Sequence, residues 1–559
     1  MRFYLIITGI LICGKLAAQG SGESDKGHFS GNLLLNTQKY MRDDRIGATT
    51  KVYRENSTSI DAWLFLNYRI KGYSFSVRYD HFNSSPLLNP QGSYTNHGIG
   101  FWQVSKQIDN LEITAGSFYD QFGNGILFRA YEQRQLGIDY AIQGVHLKYK
   151  LGNNWTLKGF SGNQKGNIDN RFGHSNQVIN GFNAEGMIDL GSGGQFGSLS
   201  LGGSALNRAL DRPTMDGVVA EINSYDLAKR FIPKYNTYGF NGYFTYYLGA
   251  LSWNVEYNYK TPEAIRKQDN TLASKDGRVL YTSLSWGNHN FHIIGKKKAS
   301  IGISLQARHI AHFSMRTTPN EILLNGAIAY LPSLTRQNTY RLLARYNAPA
   351  QEPGENGIQG EIDFKPMPGT QITLNGSYVK SLPENGIAGK SILLFREAYG
   401  EVLQKLGKHM KLKLGLQSIE YNQARYEQEP EYENVKTITP FGEVLYNFMH
   451  GRALRFEFQY LHTDKDQGSF GNAILEYFFS KNLSFAVGDM VNVKPHRYSN
   501  MVIANQVLHY PSIFTSYTEK NTVFTLAYLK QQQGVNCSGG ICRVEPAFSG
   551  VRFTVSSNF

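Results

Sequence analysis

The chain is short of charge, of cysteine and of long apolar runs. Only 18% of its 559 residues are Asp, Glu, Lys or Arg, where soluble domains carry about a quarter. A single large structure built by repetition accounts for this better than several soluble domains. No stretch after the first residues approaches the roughly 20 apolar residues a helix needs to cross a bilayer, and the mean hydropathy is −0.37. A helical membrane protein is not expected. The motifs of common catalytic sites are missing as well: there is no G-x-S-x-G elbow, no H-E-x-x-H and no G-x-x-x-x-G-K-[ST]. His28, His81, His146 and His309 are scattered, and read as lumen or interface residues. The sequence therefore leads us to expect no enzyme, no metal and no cofactor.

Three cysteines are present. Cys13 lies in "MRFYLIITGILICGKLAAQG", where a basic start, an apolar run and a small-residue exit at Ala17 and Ala18 make a secretory signal peptide, residues 1–18. Ile12 stands where a lipoprotein site wants a small residue, so Cys13 is not read as a lipid anchor. The other two, Cys537 and Cys542 in "VNCSGGICRVEP", form an even pair in an exported chain and are expected to close a small loop as a disulfide. The formal net charge of +13 comes from scattered Lys and Arg. Together with export, that scatter argues against a nucleic-acid partner.

Aromatic residues and glycine are abundant: 35 Tyr, 33 Phe and 57 Gly. Alternation of period two recurs along the chain. In "YSFSVRYD" Tyr73, Phe75, Val77 and Tyr79 oppose Ser74, Ser76, Arg78 and Asp80. In "LSWNVEYNYK" Leu251, Trp253, Val255, Tyr257 and Tyr259 oppose Ser252, Asn254, Glu256, Asn258 and Lys260. In "ALRFEFQYL" Leu454, Phe456, Phe458 and Tyr460 oppose Arg455, Glu457 and Gln459. "SIDAWLFLNYRIKG" is less clean, because Trp63 and Phe65 share a face with Asp61, Asn67 and Arg69. Short turns near Lys71-Gly72, Asp109-Asn110, Gly152-Asn153, Gly249-Ala250, Pro368-Gly369, Gly451 and Lys481-Asn482 alternate with long connections at 84–96, 119–140, 207–233 and 492–507. Short turns at one end and long loops at the other belong to a transmembrane barrel and not to a soluble sandwich.

The expected fold is all-β: a single antiparallel transmembrane β-barrel over 29–559, preceded by a short tail at 19–28. About 26 strands are expected, within roughly 22 to 26, with short periplasmic turns and long extracellular loops. Strand boundaries near 315–365 and 383–404 are ambiguous. The terminal "GVRFTVSSNF" is expected to pair with "HFSGNLLLNTQ", so that no free edge remains. Phe553, Val555 and Phe559 resemble the carboxy-terminal signal by which outer-membrane barrels are recognised for assembly. The expected partners are outer-membrane lipid and the barrel-assembly machinery, with a protein that fills the lumen as a further candidate.

An open barrel of that size would leak, so its lumen must be filled. No amino-terminal plug is expected. The candidates are 118–141, and 207–234, which carries a short helix around Val218 to Arg230. Arg129, Glu132 and Arg134 in "ILFRAYEQRQLG" could constrict the lumen or form part of an extracellular cap. Arg69, Arg78, Glu256, Arg455 and Glu457 would line the wall, either as mutually satisfied charges or as selectivity determinants.

The segments "GSFYDQFGNGILFRAYEQRQLG", "YLPSLTRQNTY" and "GGICRVEPAFSGVRFTVSSNF" resemble an uncharacterised family of outer-membrane barrel proteins from Bacteroidota. The resemblance implies a location in the cell outer membrane of such a Gram-negative organism, and a barrel architecture. It implies no activity. A solute channel or transporter is the first expectation and a barrel subunit of a secretion or assembly complex the second, with a membrane enzyme third.

Overall fold

A computed structural model describes residues 27–559 except 90–91, 167–169, 268–269, 293–297, 322–324, 429–432, 496–506 and 539–540. The expected signal peptide lies outside the described residues. Twenty-four antiparallel strands run from His28–Tyr40 to Phe548–Asn558, each paired with the next in the chain order of the barrel and the last with the first. The sheet is closed and has no edge to protect.

The closing seam explains the chain's final aromatic residue. Leu35 stands opposite Val555, and Thr37 opposite Phe553. Gly31 N–H donates to the Phe559 carbonyl at 2.7 Å, and Phe559 N–H donates back to Gly31 at 3.0 Å. A β-carbon on Gly31 would stand 2.4 Å from the Phe559 ring. Glycine at 31 is what lets that ring lie on the first strand.

Burial along the strands is that of a barrel with its apolar face outward. On Tyr73–Ser85, Phe75, Val77 and Tyr79 are exposed while Ser76, Arg78 and Asp80 are buried. On Leu251–Arg266, Trp253 and Tyr257 are exposed while Glu256, Asn258 and Lys260 are buried. On Ala453–Leu461, Phe456 and Phe458 are exposed while Glu457 and Gln459 are buried. A water-soluble barrel would reverse these faces, whereas a lipid-facing wall requires them. Exposed Tyr73, Tyr149, Tyr247, Trp286, Tyr446 and Tyr517 lie near the short-turn end, where an interfacial aromatic girdle belongs. The 13-residue strand His28–Tyr40 exceeds the roughly 9–11 residues needed to span a bilayer.

The turns follow backbone chemistry. Lys71 and Gly72 both have positive φ, 48° and 75°, which matches the twist of a two-residue hairpin. The same end of the barrel carries Asp109 and Gly249, also at positive φ.

The count of 24 falls below the expected 26, within the expected range. Residues 312–353, where strand boundaries are ambiguous in the sequence, carry no strand among their described residues. They leave the wall after Ala311 and return to it at Gly354. The segment 207–234 corrects a second expectation. Its helix is Arg212–Asn223, with Pro213 in its first turn, where proline is preorganised and its missing N–H costs nothing. Val218 and Ile222 pack on Ala264 and Leu272 at the long-loop rim, while Leu227 and Ile232 are 80% and 89% exposed. This segment caps the rim and does not fill the lumen. Cys537 and Cys542 are register partners in a two-stranded extension, Gly534–Ser538 with Ile541–Glu545. Their side chains lie outside the described residues, and no disulfide is present among those described.

Candidate functional site

The upper lumen, toward the long-loop end, is filled by two loops of this chain, 119–141 and 312–353. Loop 119–141 enters with its aromatic tip. Phe122, Phe128 and Phe160 pack as tilted rings with centroids 4.6 to 5.8 Å apart. Ile126 and Leu127 are fully buried with them, against Ile179, Leu206, Val279 and Ile310 of the wall. The tip is held by a wall carboxylate: Glu256 accepts from the Asn124 backbone N–H at 2.7 Å, and from Asn241 Nδ2 at 3.1 Å. Leu334, Leu342 and Tyr346 of loop 312–353 form a second apolar lobe with Phe395, Tyr421, Phe470 and Tyr510 of the opposite wall.

The two loops also bond to each other. Arg129 N–H donates to the Ile328 carbonyl at 2.9 Å, and Tyr330 N–H to that of Gly125 at 3.2 Å. The Arg129 guanidinium lies over the rings of Tyr131 and Tyr330 at 4.6 and 4.2 Å, a cation–π arrangement.

Beneath loop 119–141 is a buried ionic cluster built around Arg78. Its Nε bonds Asp80 Oδ1 at 2.6 Å, its Nη1 meets Glu132 Oε1 at 2.5 Å and its Nη2 meets Asp139 Oδ2 at 2.7 Å. Lys165 Nζ reaches Asp139 at 2.6 Å, Arg134 Nε reaches Glu132 at 3.1 Å, and the Tyr119 hydroxyl donates to Asp139 at 2.9 Å. Three cations face three carboxylates, so the cluster is balanced despite its burial. Gly100 makes room for it: a β-carbon there would stand 1.9 Å from Asp80 Oδ2.

The second lobe has its own ties. Arg345 Nη2 meets Asp466 Oδ2 at 2.9 Å, and the Tyr346 hydroxyl donates to the same oxygen at 2.8 Å. Arg336 pairs with Glu361, and its guanidinium lies 4.4 Å above the Tyr399 ring. The Tyr340 hydroxyl donates to Glu443 at 3.2 Å, and Leu342 N–H to Gln459 Oε1 at 2.7 Å. Lower on the wall, Arg455 bonds Glu443 at 3.0 Å and Glu476 at 3.4 Å, and also pairs with Glu457.

Of the eight residues the sequence singles out, Arg78, Glu132 and Arg134 meet in one cluster. Arg129 joins the two loops and Glu256 holds a loop tip, while Arg455 and Glu457 form a separate wall pair. Arg69 is exposed one residue before the short-turn end of its strand, away from all of these. The sequence reading missed Arg336, Tyr340, Arg345 and Asp466. The signal that could have found them is the loss of period two across "AYLPSLTRQNTYRLLARYNAPAQEPG", with three prolines where a wall strand tolerates few.

No curated protein matches the chain. Solved structures that are similar in fold include the translocation pore of the P pilus usher PapC (8% identity, TM-score 0.41, 95% of this chain and 99% of that one). The siderophore receptor PirA from Pseudomonas aeruginosa is also similar (8% identity, TM-score 0.42, 96% and 81%), as is the copper transporter OprC (8% identity, TM-score 0.41, 97% and 82%). The model of a family of unknown function, DUF6029, matches residues 1–559, and the chain belongs to that family.

Proposed function

We propose that this protein is an outer-membrane solute channel, its long loops outside the cell and its short turns periplasmic, closed by loops 119–141 and 312–353. The observation that carries this reading is how the loops are attached. Neither joins the ladder of the wall: the 24-stranded sheet contains no residue of either loop, and their bridges and small strand pair, Glu132–Gln133 with Ile138–Asp139, lie within the loops themselves. Besides the main-chain bond from Lys165 N–H to the Ala141 carbonyl at the foot of the first loop, they are seated by ion pairs, side-chain hydrogen bonds and apolar contact, which can be exchanged without opening the barrel. Loops of this kind are drawn from the less stable parts of a structure, from which gating elements come.

The net charge of +13 supports a preference for anions. In this reading Phe553, Val555 and Phe559 serve the assembly machinery, and Phe553 lies exposed on the outer face. The competing reading is a barrel subunit in a larger complex. It is favoured by the depth of the two apolar lobes, which resemble a folded core that never opens.

Single-channel conductance in a planar bilayer under a salt gradient separates the two. The intact chain should be closed or nearly so. Replacing residues 122–128 or 330–346 with a short Gly-Ser link should each produce a steady conductance with anion preference, and the double replacement a larger one. If all three variants are silent while correctly folded, the scaffold reading replaces this one.

A further inference from the structure

A cavity of about 410 Å³ lies between loop 312–353 and the wall strands Lys298–Ala311 and Gly354–Met367. Gln306, Gln359 and Glu361 line it from the wall, and Tyr330, Pro332 and Arg336 from the loop. It sits below the buried Arg308–Glu355 pair, toward the short-turn end of both strands. Its volume falls in the range of about 300–1,000 Å³ usual for small-molecule sites.

Gln306 and Gln359 are register partners, so period two turns both side chains to the lumen, one beside the other. Gln359 is only 9% exposed, yet its amide has no hydrogen-bond partner among the described residues, and both of its polar atoms stay open to the cavity. Gln306 Oε1 accepts from the Tyr281 hydroxyl at 3.0 Å, which leaves Gln306 Nε2 to the cavity. Glu361 pairs with Arg336 through Oε2, and its Oε1 is left over.

The charges of this cavity thus answer one another. A carboxylate brought into it would meet Glu361, and an ammonium group would meet Arg336, so neither sign of ion is favoured. The unengaged groups are amide N–H donors from Gln306 and Gln359, and oxygen acceptors from Gln359 and Glu361. A hydroxyl serves both kinds, since it donates and accepts.

We propose that this cavity binds a neutral polyhydroxylated solute of the sugar class. Its hydroxyls donate to Gln359 Oε1 and Glu361 Oε1 and accept from Gln306 Nε2 and Gln359 Nε2, while its C–H groups lie against Tyr330 and Pro332. Because the wall supplies one side of the site and the loop the other, a bound solute ties the loop to the wall. The site stands whether or not a solute crosses the barrel, so its test is binding and not flux.

The test is a saturation-transfer NMR titration of the full chain in nanodiscs. The probes are glucose, galactose and mannose, each with its uronate and its 2-amino counterpart. Saturable binding of at least one neutral sugar is expected, with its charged counterparts weaker by about tenfold or more. Gln359→Leu should weaken that binding by about tenfold, since it removes a donor and an acceptor together and breaks no hydrogen bond of the protein. The chain with residues 330–346 replaced by a Gly-Ser link lacks the loop side of the site and should lose the binding. Heat-dependent electrophoretic mobility confirms that each variant retains its barrel. No saturable binding of any of the three neutral sugars would overturn the site. So would a charged counterpart that binds as tightly as its sugar, or binding unchanged in either folded variant. Sugar binding by a chain whose loop variants all stay silent in the bilayer would remove the channel reading and leave this one.

Discussion

An Arg78→Leu chain should keep its barrel and lose the seat of loop 119–141. The Arg78 side chain points into the lumen, while the strand's pairing to its neighbours is made by main chain. Removing the guanidinium leaves Asp80 and Asp139, both fully buried, and the partly buried Glu132 with only Lys165 and Arg134 to balance them. Taking one partner from a buried ionic cluster costs about 3–5 kcal/mol. That cost falls on the loop, because two of the three stranded carboxylates belong to it. Trypsin cleavage after Arg129 and Arg134, whose rate follows the open population when reclosing is fast, should rise by about a hundredfold or more. Gly100→Ala disturbs the same cluster from the wall side, through the clash of its β-carbon with Asp80, and should act in the same direction. A folded Arg78→Leu barrel cleaved no faster than the parent would show that the aromatic tip, and not the ionic cluster, holds the loop.

The same cluster shows what could be read from the sequence. Arg78 and Asp80 stand on the polar face of a clean alternation, so their inward direction follows from period two alone. Glu132 and Arg134 lie in a stretch whose mixed aromatics and charges mark it as more than a hairpin connection. That Asp139 and Lys165 would complete the set does not follow, because their meeting depends on how far the loop descends, a long-range property that no local pattern encodes. Loop 312–353 was harder still. Its Leu331, Leu334, Leu342 and Leu343 have the composition of lipid-facing strand residues, and in a barrel an apolar residue has two possible destinations. Outward is the default, and a plug makes inward equally favourable. The capping helix was nearly legible, but Asp211 and Pro213 set its start several residues earlier than its apolar spacing suggested. The Phe559 seam was readable as a closed edge, although its need for Gly31 was not.

Loop 312–353 should respond to acid in a way that loop deletion cannot mimic. Burial acts on the Asp466 carboxyl first and raises its pKa, but the Arg345 guanidinium and the hydrogen bonds from Arg345, Tyr346 and Gln423 outweigh it, and the net result lies below the ordinary carboxylate value. A carboxyl whose folded pKa is depressed contributes stability that is fully present above its unfolded pKa, about 3.9, and is lost as pH falls through the folded value. The tie is therefore indifferent to pH between about 8 and 5 and fails only below about 4. Asp466→Asn removes the charge at every pH and leaves Arg345 buried against the rings of Phe470 and Tyr346 without its carboxylate. The loss is about 3 kcal/mol, the low end for a broken buried pair because Asp466 keeps some exposure. In a planar bilayer at pH 7 this variant should therefore open far more often than the parent, by about a hundredfold, and its opening should change less than the parent's on acidification, the ties to Glu361 and Glu443 being common to both. The parent should stay closed to pH 5 and open below pH 4. A midpoint above pH 5 in the parent would assign the response to a histidine and not to Asp466. An Asp466→Asn barrel as quiet as the parent at neutral pH would mean that the apolar lobe alone keeps the loop in place.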